Sequence, residues 1–133
     1  MHNDTFYLDH CQQLAEIAAT RNESPVGSVV VMVDQMIGQG IEASKFHQDT
    51  TYHAEVEAIR DAVKKYGTDL SGATLYTTHE PCILCSYVIR HHRISRVVIK
   101  KAVAHIGGAS SRFPILTTSD ISVWVTPPII EFL

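Results

Sequence analysis

At 133 residues and 45% hydrophobic composition the chain can bury one core, and one domain over residues 1–133 is expected. Its formal net charge of −3 offers no bulk attraction to a polyanion, so a small-molecule partner is favoured over nucleic acid. The start, Met1 to Asp9, is polar and acidic, unlike a secretory leader. No apolar run approaches the roughly 18 residues of a membrane span, so the expectation is a cytoplasmic protein with no membrane partner.

In chain order, the first element is an amphipathic helix from Thr5 to about Thr20, with Leu8, Cys11, Leu14, Ala15, Ile17 and Ala18 at helical spacing. Asn22 to Gly27 breaks it. The β-branched run Val29 to Val33, a tight turn at Asp34-Gln35 and a segment from Met36 to Ile41 spell a hairpin whose unbroken valines imply burial on both faces. Glu42 to Tyr52 reads as a polar loop. A second helix opens at His53, carries Ala54, Ala58, Ile59, Ala62 and Val63 on one face, and stops at Gly67. Ala73 to Thr78 is a strand, Pro81 suits the first turn of a helix running to about His92, and Arg96 to Val103 alternates as another strand. In the tail, Gly107 to Ser111 is loop, Ile121 to Val125 is a candidate edge strand, and Pro127-Pro128 bars its continuation.

Three cysteines cannot all pair within one chain, and the Cys82-x-x-Cys85 spacing points to metal or redox chemistry in a reducing compartment. Standing at i and i+3, these two sulfurs share one helix face, and the helix N-terminus favours their thiolates. With His53 they make three ligands of the kinds zinc accepts, which leaves the fourth tetrahedral position to water. Zinc lowers the pKa of bound water to about 7, so such a site is reactive at neutral pH. Glu55 lies two residues past His53, points elsewhere around the helix, and is placed to move protons rather than to ligate. A structural zinc site is the plainer alternative, but it would want a fourth ligand and none stands out.

His53-Ala54-Glu55 followed by Pro81-Cys82-Ile83-Leu84-Cys85 resembles the signature of the cytidine deaminase-like superfamily. The stretches Pro25 to Val31, His53 to Arg60 and Leu75 to Cys82 are similar to its branch of tRNA adenosine deaminases, bacterial guanine deaminases and fungal cytosine deaminase. This likeness covers roughly residues 5 to 105. The resemblance implies a three-layer α/β/α sandwich around a central mixed sheet of about five strands, one Zn2+ per chain on His53, Cys82 and Cys85, and a homodimer. It also implies hydrolytic deamination, in which activated water attacks the amino-bearing ring carbon while Glu55 protonates a ring nitrogen and then the departing ammonia.

Two departures bear on the substrate. Eleven residues before His53 this branch usually places a substrate-binding asparagine, and here the residue is Glu42, an acceptor that would prefer N–H groups and repel phosphate. The chain also finishes Thr126 to Leu133, without the longer, often basic helix usual in tRNA-editing relatives. His47 and His79 are further candidates for substrate binding or proton carriage, set against a reading as ordinary loop histidines. Trp124, Phe113 and Phe132 could stack on a flat substrate but are more simply packing residues. Arg90, His91, His92, Arg93, Arg96, Lys100 and Lys101 form a basic segment that reads first as a solvated face and second as a phosphate contact. The expected activity is thus deamination of a free nucleobase, nucleoside or related amino-heterocycle, guanine- or cytosine-like. Adenosine-to-inosine editing of tRNA stands second, and a non-catalytic zinc-stabilised interaction module third.

Overall fold

The computed structural model describes residues 2–124 and 126–133. Helix α1 (Asp4–Thr20) starts where the Asn3 side chain accepts from the Phe6 amide at 3.0 Å, and it buries Tyr7, Leu8, Cys11, Leu14, Ala15 and Ala18 along one stripe. Strands β1 (Gly27–Met32) and β2 (Gln35–Ile41) form the expected hairpin, with every β1 residue buried. The register Met32↔Gln35 puts the two-residue turn at Val33-Asp34, one residue earlier than expected, and both have positive φ, 49° and 59°. That is the geometry a hairpin twist demands, supplied here by a β-branched residue ill suited to it.

A short helix α2 (Ser44–His47) interrupts the expected loop, and α3 (Ala54–Tyr66) follows, with His53 at its N-cap and Gly67, at φ 95°, at its C-cap. Ala54, Ala58 and Ala62 lie on Gly38 and Gly40 of β2 so closely that a Cβ at either glycine would strike the α3 backbone. This contact lays α3 flat on the edge strand. Next come β3 (Thr74–His79), α4 (Ile83–His91), β4 (Arg96–Lys101) and β5 (Ile129–Phe132). Pro81 precedes the N-cap residue Cys82 instead of occupying the first turn of α4, since Cys82 is still extended at φ −74°, ψ −175°.

The sheet order is β2-β1-β3-β4-β5, antiparallel from β2 to β3 and parallel from β3 to β5, so the five-strand mixed sheet is present. Residue parity divides two cores. Val29, Val31, Tyr76 and Val98 meet α1 on one face, while Val30, Leu75, Val97 and Ile99 meet Ile59 of α3 and Ile89 of α4 on the other. The result is the expected α/β/α layering. The edge strand, however, is β5 and not Ile121 to Val125: Ile121 to Trp124 contains a turn, and Val125 lies outside the described residues. The proline pair ends no strand but precedes one. Among the described residues, no helix is long and apolar enough to cross a membrane.

Candidate active site

The N-termini of α3 and α4 meet on one side of the sheet. His53 has N-cap geometry but makes no side-chain capping bond, so its ring is free to turn toward Cys82 and Cys85. His53 Nδ1 lies 3.5 Å from Cys82 Sγ and 3.4 Å from Cys85 Sγ, and the two sulfurs are 3.8 Å apart. Zinc at about 2.3 Å from sulfur and about 2.05 Å from nitrogen, at tetrahedral angles, spaces two sulfurs about 3.8 Å apart and sulfur from nitrogen about 3.6 Å. These three donors are therefore spaced as ligands around one ion, and they form a group close enough to hold it. An N-cap sulfur, Cys82, and a first-turn sulfur, Cys85, at the positive end of α4 also suit thiolates. In the free protein the Cys85 hydrogen bond and then His53 draw the Cys82 thiol down, while that same bond and burial push Cys85 up. The Cys82 partner in turn raises His53.

Glu55, in the first turn of α3, is 4% exposed, and burial pushes its carboxyl up to about 7, helped by Cys82 and Glu42 and opposed by the Glu55 backbone amide and by His53. A carboxyl of that pKa can both take and give a proton near neutrality. Cys11 has no part in this group: it sits in the core, its Sγ donates to the Tyr76 carbonyl at 3.3 Å, and burial pushes its pKa up to about 12.

The three substrate candidates are not all brought together. Glu42 is half-buried, accepts from Ser44 Oγ at 2.7 Å, and lies near enough to act electrostatically on His53, Glu55 and Cys85. His47 shares with it the wall of a cavity of ≈ 550 Å³. His79 stands apart at the end of β3, its ring 3.0 Å from Thr78 Oγ1, with burial and Lys101 lowering its pKa.

Other expectations are redistributed. Arg90 is buried, donates to the carbonyls of Ile115, Leu116 and Thr118 and lies 4.9 Å from the Trp124 ring, in the last turn of α4. Trp124 thus packs against α4, its ring also 5.4 Å from that of Tyr87. Arg96 is taken up by Asp4 and Glu131, so the basic segment is neither one solvated face nor one phosphate patch.

Two supporting acids went unread in the sequence. Buried Glu80 accepts from the amides of Val103, Ala109 and Ser110 and from the Ser110 hydroxyl, tying the 103–110 loop to the residue before Pro81-Cys82. Buried Glu23 likewise accepts from the amides of Lys45 and Phe46. The one available signal was an acid beside Pro81-Cys82, and its loop partners are more than twenty residues away.

The model for the cytidine and deoxycytidylate deaminase zinc-binding region matches residues 1–101. A tRNA-specific adenosine deaminase of Buchnera aphidicola is 42% identical over 100 residues, which cover 74% of this chain and 62% of that enzyme, so the chain spans less than two thirds of that relative. A structure from biochemical and structural studies of A-to-I editing by tRNA:A34 deaminases superposes with TM-score 0.87 at 28% identity, over 97% of this chain and 98% of that one. Guanine deaminase from Bacillus subtilis gives TM-score 0.73 at 32% identity, over 76% and 66%.

These matches overturn the expectation of a guanine- or cytosine-like free base and of tRNA as the lesser partner. The argument from bulk charge fails on physical grounds. A net charge of −3 averages over the whole surface and says nothing of one face. With its zinc-binding region matched over three quarters of its length, the chain belongs to the cytidine and deoxycytidylate deaminase family, in the cytidine deaminase-like superfamily.

Proposed function

We propose that this protein deaminates adenosine to inosine in tRNA. The observation that carries the reading is the near end-to-end superposition on a structure from work on tRNA:A34 deaminases, supported by the 42% identity to a tRNA-specific adenosine deaminase. In this reading His53, Cys82 and Cys85 hold the zinc, whose chemistry is to make water acidic enough to attack near neutral pH. Glu55 takes the proton from the attacking water, gives one to the ring nitrogen beside the amino-bearing carbon, and delivers a proton to the leaving amine. A C–O bond forms, the exocyclic C–N bond breaks and ammonia leaves, with no net oxidation. Glu42 serves as acceptor for a substrate N–H or hydroxyl, and His47 binds alongside, while His79, apart at the end of β3, is left without a substrate role.

Such work belongs in the cytoplasm, and pairing of two copies is part of the same reading. Ile83 and Tyr87, 38% and 53% exposed and one turn apart on α4, supply an apolar face suited to it. The test is inosine formation by zinc-loaded protein on an anticodon stem-loop bearing the target adenosine. Binding should weaken steeply with salt. Turnover of free nucleobases at a rate indifferent to salt, with the stem-loop untouched, would refute the reading.

A further inference from the structure

Phe46 is 82% exposed, yet its backbone is anchored like a core residue. Glu23, itself 7% exposed, accepts from the Lys45 amide at 3.1 Å and the Phe46 amide at 2.8 Å. A buried carboxylate is costly unless hydrogen-bonded, and here its partners belong to a four-residue helix that buries no side chain. Further along, Asp49 Oδ1 accepts from the Thr51 amide at 2.9 Å, and the Ala43 amide closes the neck of the loop on the Tyr52 carbonyl at 3.0 Å. This bracing holds an apolar ring out in water, which does nothing for the core but pre-orders a contact.

The neighbouring rings show what contact. Phe46 stands at 88° to His47, centroids 5.0 Å apart, and His47 stacks on Tyr52 at 3.8 Å and 19°. The Arg60 guanidinium lies 4.9 Å from the Tyr52 ring. Phe46 and His47 form a corner of two rings, and Tyr52 joins that corner directly to His53. The cavity of ≈ 550 Å³ at its side carries Arg21 but also Glu42 and Glu57, so it is no trap for phosphate. Flat, neutral and amino-bearing groups fit it better. Unpaired bases are bound in this way, on aromatic and histidine rings, since every base has a π-face.

We propose that Phe46 and His47, backed by Tyr52 and Arg60, stack the unpaired RNA base next to the reacting adenosine. This rests on the RNA reading above. The zinc-loaded full chain, Phe46→Ala and Phe46→Trp are compared on the stem-loop, with 2-aminopurine replacing the base beside the target in a parallel binding titration. Phe46→Ala raises KM roughly 5- to 150-fold, changes kcat less, leaves the salt slope unchanged and abolishes the 2-aminopurine quench, and Phe46→Trp restores both. A KM within twofold of the parent together with an unaltered quench overturns the platform while the RNA reading stands. RNA bound through Phe46 but never deaminated keeps the platform and overturns the reading. Indifference of the parent to RNA, or a surface that takes only a protein side chain, overturns both.

Discussion

Ser110 donates to the Glu80 carboxylate twice, from its amide at 2.7 Å and from its hydroxyl at 2.5 Å. Burial alone would raise the Glu80 pKa, but these donors with those of Val103 and Ala109 prevail and hold it below the ordinary value. Glu80→Ala leaves three amides without their acceptor beside the metal-site loop. We expect a loss of about 2–4 kcal/mol of unfolding free energy, read by urea denaturation, with Glu80→Gln losing less. An Ala variant within 0.5 kcal/mol of the parent would show that water replaces the clamp at little cost.

A second acid ties the start of α1 to the sheet. Asp4 accepts from Arg96 at 2.7 and 2.9 Å and from the Tyr76 hydroxyl at 2.6 Å, and the Arg96 bond above all brings its pKa down to about 2. A folded pKa below the unfolded value gives stability that is present above about pH 4 and is lost as pH falls toward 2. Discounted for its partial exposure, Asp4→Asn should cost about 1–2 kcal/mol at pH 7, little near pH 2 and nothing below it. Denaturation across that range checks the sign.

Metal and proton roles separate in two variants. Glu55→Gln should keep one zinc per chain and lower kcat by about 10²- to 10⁴-fold. Cys85→Ser should lose the ion along with activity and melt lower, as the parent does with a chelator, because metal bound only by the folded state adds to its stability. Zinc content by atomic emission, measured beside the rate, distinguishes the two.

The hairpin turn invites an improvement. Val33 is 85% exposed at φ 49°, a conformation costing a β-branched residue roughly 1–2 kcal/mol that glycine or asparagine avoids. Val33→Asn should raise stability by about 1 kcal/mol and Tm by a few degrees without changing activity. A lower Tm would mean that Val33 makes a contact its exposure conceals.

What could be read in advance was local. The valine run, the alanine face of α3, Gly67 and the His53, Glu55, Cys82 and Cys85 spacing are each set by neighbours within a few residues, and the sheet and the cluster of three donors follow from them. What escaped depends on distant partners. The turn shifted because Met32 pairs with Gln35, and the edge strand moved because Ile129 to Phe132 finds β4. Pro81 slipped back one place because Cys82 stays extended. Glu23 and Glu80 gave no periodic signal, since their partners are backbone amides more than twenty residues away. The substrate escaped for another reason: charge summed along a chain has no location.

Glu23 grips amides at Lys45 and Phe46, and every residue except proline carries that handle. The anchor is therefore blind to the side chains it positions. Substitution at Lys45 or Phe46 thus changes what this loop shows to a ligand while the Glu23 anchor stays in place.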